Sequence, residues 1–183
     1  MLGGALLHAG FSLRALQAAD IDLPSTGPVG IVLPGDGDDR LREGLLALQA
    51  GQWPVARCSF LDVLEQHPGC LVAHAALGRL LADLEHRDTA LLHLTAAVRL
   101  GLGALAHDPH LPLDASRETE RALLAALVAR AGVFASSGRK DDAVSDLRRA
   151  LAWDPTDAAG AARPLARLLG DAPGAFPLAA EAS

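Results

Sequence analysis

Small and large apolar residues recur in this chain at a spacing of 34 residues. When residues 51–56 are aligned with residues 85–90, small residues fall on small ones and large residues on large ones. The matching pairs are Gly44 with Gly78, Ala56 with Ala90, Phe60 with Leu94, Val63 with Ala97, and Leu64 with Val98. A period of this length is typical of proteins in which one supersecondary unit is stacked several times.

A third copy begins after a longer interval. Residues 138–143 align with residues 51–56, and proline closes the first and third copies, where the second has Leu102. In the third copy the matching positions are Ala131, Ala143, Leu147, Ala150 and Leu151, and the two closing prolines are Pro68 and Pro155.

The composition favours helices throughout. The apolar half of the chain is mostly Ala and Leu, there is no Tyr, and only 3% of residues are aromatic. Ala and Leu favour helices, whereas strands are rich in β-branched and aromatic residues. Gly and Pro punctuation predicts helices over residues 39–50, 53–66, 71–84, 88–100, 117–136, 140–152 and 158–169, with a loop or irregular insert over 104–116. The predicted fold class is therefore all-α.

The repeated pattern resembles the tetratricopeptide repeat, whose period is about 34 residues. The resemblance covers roughly residues 37–157. It implies a short right-handed α-solenoid of about three helix pairs, with small residues allowing close helix approach and large ones filling the space between repeats. Two residues depart from the family pattern: Glu43 and Arg130 stand where the family usually has Leu, as at Leu77. An insert over 103–121 separates the second and third copies, and another helical bundle remains the alternative.

This alignment divides the chain into an N-terminal extension, a repeat domain and a tail. Residues 1–36 comprise a helix over 2–18 and a Pro- and Gly-rich extended linker. The repeat domain covers 37–170, with copies over 37–70, 71–104 and 122–157 and a capping helix over 158–170. Residues 171–183 are predicted to be a flexible tail because they contain Pro173, Gly174 and Pro177.

The resemblance also implies a concave groove lined by the first helix of each pair. Most of its predicted residues are apolar or small, so we expect an apolar peptide or partner segment to bind there. Arg79 is expected to pair with a ligand carboxylate or carbonyl. Because Leu, Ala and Val stand at most of these places, the groove is not the carboxylate clamp with which some family members hold heat-shock chaperones. The predicted lining residues are Asp38, Leu41, Leu45, Leu48 and Gln49; Val72, Ala75, Arg79, Ala82 and Asp83; and Ala125, Val128, Gly132, Ala135 and Ser136.

The linker contains the most β-prone run of the chain, residues 29–33, with sequence Val-Gly-Ile-Val-Leu. One hypothesis is that this run docks on the repeat array. The alternative is that it packs against the N-terminal helix, as surface loops commonly cover local structure.

Catalytic and metal-binding patterns are sparse. His107 and His110 flank a short polar segment, but no cluster of further ligands accompanies them, and Cys58 lies among predicted packing positions. No nucleophile elbow, zinc-protease, P-loop or dinucleotide fingerprint is present. We therefore expect a protein that is not an enzyme and uses no cofactor or metal.

Charge and hydropathy bear on partners and location. The net charge is −6 without a basic stripe, which disfavours nucleic acid as a partner. No stretch reaches the roughly 20 apolar residues that span a bilayer, and no signal peptide is predicted, so we expect no membrane partner and a cytoplasmic location.

Three functions follow from this reading. The first is an adaptor or co-chaperone, similar to the small cytoplasmic chaperones of bacterial secretion systems. The second is a self-assembling scaffold, which would form homo-oligomers. The third is an enzyme or metal carrier built on His107 and His110.

Overall fold

The computed structural model describes residues 39–107 and 113–170, and these form seven helices with no strand. The prediction of an all-α protein is confirmed for this part of the chain. The predicted N-terminal helix, the linker and the C-terminal tail lie outside the described residues. The helices are α1 (Asp39–Gln49), α2 (Trp53–Gln66), α3 (Leu71–Asp83), α4 (Arg87–His107), α5 (Leu113–Ser136), α6 (Lys140–Trp153) and α7 (Ala162–Leu169).

The largest correction concerns the segment around residues 101–116. The sequence predicted that α4 ends near residue 100 at Gly101 and Gly103, but α4 continues to His107. Gly101 is buried, and a Cβ atom placed on it would lie 3.0 Å from the Cβ atom of Leu123 on α5. This glycine therefore permits close packing of two helices and does not end one.

Two helix starts also differ from the prediction. α5 begins at Leu113, four residues before the predicted start at residue 117. α7 begins at Ala162 rather than near residue 158, because residues 154–161 form turns. The Asp157 carboxylate accepts hydrogen bonds from the backbone N–H groups of Ala161 and Ala162, which satisfies donors at the new helix start.

Each helix packs against the next one along the chain. In addition, α3 packs against α5, and α1 contacts α3. The first helices of the three pairs thus lie beside one another in chain order.

Close contacts between helices recur at the aligned positions. A Cβ atom on Gly44 would lie 2.7 Å from the ring of Phe60, and one on Gly78 would lie 2.7 Å from Cγ of Leu94. These distances leave no room for a methyl group, and Phe60 and Leu94 are fully buried. The expected role of the two glycines in close helix approach is confirmed.

The turns inside the three pairs share one backbone geometry. Gly51, Glu85 and Gly138 are aligned, and all three have positive φ, at 70°, 61° and 76°. The N–H group after each of them donates to the carbonyl five residues earlier, at 2.8–2.9 Å. This pattern satisfies carbonyls at the end of the first helix and reverses the chain in the same way three times.

One long helix is apolar enough to be compared with a membrane span. Residues 87–106 of α4 have the length and hydropathy of such a span, although the sequence predicted no such stretch. In the structure 44% of this window is buried, and Ala90, Leu94 and Ala97 are completely enclosed. Its apolar residues thus form part of the core between α3 and α5.

Candidate functional site

The described residues of the predicted groove lie on α1, α3 and α5, of which α3 contacts both α1 and α5. Their apolar side chains are only partly covered: Leu45, Leu48, Val72 and Val128 are half-buried against the core. A half-buried apolar side chain keeps a surface on which another apolar group can pack.

Charged and polar groups accompany these side chains. Arg79 and Asp83 are exposed one turn apart on α3, and Gln49 and Ser136 are exposed near the ends of α1 and α5. Neither Arg79 nor Asp83 forms an ion pair with any residue in the described ranges. These two charges are therefore available to a ligand, whereas the Ser136 hydroxyl already donates to the Val133 carbonyl at 2.9 Å.

Two of the predicted lining residues lie in the core rather than on the surface of the groove. Leu41 is completely buried and Ala75 nearly so, which places both in the core and leaves them little surface for a ligand. Asp38 lies outside the described residues. On α5, Ala125 and Gly132 are exposed, and a Cβ atom on Gly132 would have no neighbour within 4 Å.

A pair of histidines joins α3 and α4. The Nδ1 atoms of His74 and His93 are 3.0 Å apart, and Nε2 of His74 is 3.0 Å from the carbonyl oxygen of Pro68. A carbonyl only accepts, so His74 carries its proton on Nε2 and donates it to Pro68. His74 Nδ1 must then accept, and His93 Nδ1–H donates to it.

Both rings are held neutral by their surroundings. Burial, and to a smaller extent the nearby His74, lower the pKa of His93 to about 4. Burial also lowers the pKa of His74, although the hydrogen bond to the Pro68 carbonyl opposes this effect. The pair is thus a neutral connection between two helices. The repeat pattern did not predict this contact.

A buried ion pair explains one departure from the repeat pattern. Arg130, which replaces the usual Leu, binds Asp146 on α6 through Nε–Oδ2 and Nη2–Oδ1 contacts of 2.7 and 2.8 Å. Only 12% of the Arg130 side chain and 7% of the Asp146 side chain are exposed. The guanidinium lies 5.7 Å from the centre of the Phe134 ring, whose face also contacts Arg139 at 4.2 Å.

The metal and nucleophile alternatives gain no support from the described side chains. No three His, Cys, Asp or Glu residues are grouped closely enough to hold a metal ion within the described ranges. Cys58 is exposed and Cys70 is buried, so the two thiols differ in access to solvent. The side chain of His107 and the whole of His110 lie outside the described residues.

A small cleft that the sequence did not predict lies where α5 begins and α6 ends. It has a volume of about 230 Å³, and its lining includes Leu124, Trp153, Arg117, Arg121 and Glu120. The Asp154 carboxylate at its edge accepts hydrogen bonds from Thr156 and from the N–H group of Ala158. The bond from the Thr156 side chain is the main cause that lowers the pKa of Asp154. Since the cleft contains charges of both signs, it indicates no single class of ligand.

No protein-family model matches the chain. No curated protein matches it either.

Proposed function

We propose that this protein is a short right-handed solenoid of three tetratricopeptide-like helix pairs, capped by α7, that binds an apolar segment of another polypeptide. The proposed site is the surface that α1, α3 and α5 share. In this proposal the protein is an adaptor or co-chaperone and performs no chemical reaction.

The observation that carries the proposal is the contact between first helices. Because α3 packs against α5 and also contacts α1, their outward residues belong to neighbouring stretches of one surface. The repeated turns at Gly51, Glu85 and Gly138 and the repeated Gly44–Phe60 and Gly78–Leu94 contacts support a regular stack. Repeats that stack regularly form one extended concave surface, which solenoid proteins use to bind partners.

The side chains on this surface indicate the chemistry of the partner. Leu45, Leu48, Val72 and Val128 provide apolar contact area, and burial of such area stabilises a complex by roughly 25 cal/mol per Å² before the entropic cost of association. Arg79 and Asp83 lack ion-pair partners within the described chain, so they can form hydrogen bonds with the backbone or polar groups of a bound peptide.

Photo-crosslinking tests this location directly. A photoreactive amino acid at Val128 on α5 is expected to capture a partner polypeptide from a cell extract. The same group at Leu61 is the matched control, because Leu61 is an exposed apolar residue on α2 rather than on a first helix. Capture from position 61 but not from 128 would contradict the proposal.

Two substitutions then test the chemistry with the captured partner. Arg79→Glu and Leu45→Glu are each expected to weaken binding at least tenfold, which corresponds to about 1.4 kcal/mol, while Leu61→Glu leaves it unchanged. Far-ultraviolet circular dichroism checks that helicity is retained. If the crosslinked partner is a second copy of this chain, the protein is a self-assembling scaffold instead.

A further inference from the structure

One face of α1 exposes a leucine whose equivalents in the later pairs are buried. Leu46 aligns with Leu80 on α3 and with Val133 on α5. Leu46 is 59% exposed, whereas Leu80 is 0% and Val133 is 4% exposed. α3 is packed against by the helix before it, α2, and α5 by the helix before it, α4. No described helix precedes α1, so its corresponding face is open.

This open face forms a shallow groove between α1 and the start of α2. The groove has a volume of about 410 Å³, and its apolar residues are Leu46, Ala47, Ala50 and Val55. None of its lining residues belongs to the set proposed above for a partner, although Gln49 of that set lies about 60° around α1 from Leu46. At 100° per residue, Leu46 lies about 100° around α1 from Leu45 and about 140° from Leu41.

The charges at the edge of this groove are already paired. Arg42 contacts Asp39 at 3.4 Å, and Arg40 contacts Glu43 at 2.9 Å. A segment that enters the groove therefore needs no charge of its own to neutralise the edge. An uncharged apolar segment fits this chemistry, since it covers Leu46 and Val55 without desolvating an unpaired charge.

We propose that residues 29–33 of the same chain occupy this groove. All five are uncharged, four of them are Val, Ile or Leu, and they precede α1 closely in the sequence. The five residues of the run span about 16 Å when extended. α1 is also about 16 Å long, so the run would match the length of the groove once the linker to Asp39 has reversed its direction.

The residues between the run and α1 permit the reversal that docking requires. Pro34, Gly35 and Gly37 are residues that favour turns. In the proposed arrangement, a turn here would direct the run back along α1. Attachment to α1 gives the run a high effective concentration at the groove. A second copy of the chain lacks this advantage, and a stable dimer needs about 800 Å² from each partner, far more than this small groove provides.

Protection of a thiol in the full chain tests the proposal. Cys58→Ser removes the exposed native thiol, and the buried Cys70 stays shielded in the folded protein. In this background, Leu46→Cys reports on the groove and Leu61→Cys, an exposed leucine on α2 outside the groove, is the matched control. The probe is a small thiol reagent, and circular dichroism confirms that each variant is folded.

The proposal predicts how fast the thiols at positions 46 and 61 react with the reagent. The thiol at position 46 should react roughly tenfold more slowly than the thiol at 61, and Ile31→Asp should raise the rate at 46 to that of the control. Equal rates at 46 and 61 with Ile31 present would show that the groove is open. Protection that survives Ile31→Asp would show that another segment covers it. Protection that disappears on dilution would show a second copy. Each of these three results would overturn the proposal, and none depends on whether a partner binds at α1, α3 and α5.

Discussion

The guanidinium of Arg130 and the carboxylate of Asp146 form two nearly equal contacts, at 2.7 and 2.8 Å, between the two helices of the third pair. The second-helix residue occupies a recurring position. Asp146 aligns with His93 in the second pair and with Ser59 in the first. In the second and third pairs this position carries a polar group that binds the first helix of its own pair, through His74 or Arg130. A polar connection inside an otherwise apolar pair is thus repeated with different chemistry.

Removal of one partner from the buried ion pair should be strongly destabilising. Asp146→Ala leaves a desolvated guanidinium without its carboxylate, and we expect the free energy of unfolding to fall by about 3–5 kcal/mol. Replacement of both residues, Arg130→Leu with Asp146→Leu, should bring stability back to within about 1 kcal/mol of the unsubstituted chain, because no buried charge remains. Chemical denaturation of the single and double variants measures both values. A double variant as unstable as the single one would contradict this account.

The histidine pair should make stability depend on pH. Burial lowers the pKa of His93 to about 4, whereas an unfolded histidine titrates near 6.5. Above pH 6.5 both states are neutral and the contribution to stability is complete. Below it the unfolded chain takes up the proton first, so stability falls until the pH reaches about 4, by about 3 kcal/mol for His93. The lowered pKa of His74 acts in the same direction.

Denaturation at pH 7.5 and at pH 4.5 measures this loss. In the double variant His74→Leu with His93→Leu the difference between the two pH values should shrink clearly. His86 is exposed on the turn before α4, so His86→Gln should retain the full difference and is the control. An unchanged pH dependence in the double variant would assign acid sensitivity to other groups.

Substitution of alanine for two glycines within helices should change the stability of the protein in opposite directions. Gly78→Ala places a methyl group 2.7 Å from Cγ of Leu94, and we expect a loss of about 1–3 kcal/mol from overpacking. Gly132→Ala meets no atom within 4 Å, so the better helix propensity of alanine should raise stability by about 1 kcal/mol. Thermal unfolding of the two variants distinguishes packing from propensity. A gain in both would show that α3 and α4 can separate without penalty.

The turn of the second pair contains a residue that strains its backbone. Glu85 has a φ of 61°, where the aligned turns use Gly51 and Gly138. Left-handed geometry costs a residue with a side chain about 1 kcal/mol, so Glu85→Gly should raise the free energy of unfolding by about 0.5–1 kcal/mol. Gly138→Ala should lower it by a similar amount. Denaturation curves of both variants would show whether the three turns are energetically equivalent.

Sequence alone determined the helical class, most helix boundaries and the positions of close helix approach. It could do so because helix propensity, Gly and Pro punctuation and the spacing of small and large residues are local or periodic properties. Gly44 and Gly78 were assigned to close contacts from their 34-residue spacing, and the structure places Phe60 and Leu94 against them.

Only tertiary structure decided what non-neighbouring residues do together. Gly101 has the sequence features of a helix terminator, yet it lies inside α4, where Leu123 packs closely against it. Arg130 departs from the repeat pattern, and only the structure shows the reason. Its guanidinium binds the carboxylate of Asp146, which is 16 residues later in the chain. The two histidines are 19 residues apart and form one contact. The free energy of such contacts depends on distance and burial, which a linear pattern specifies only after the helices have packed.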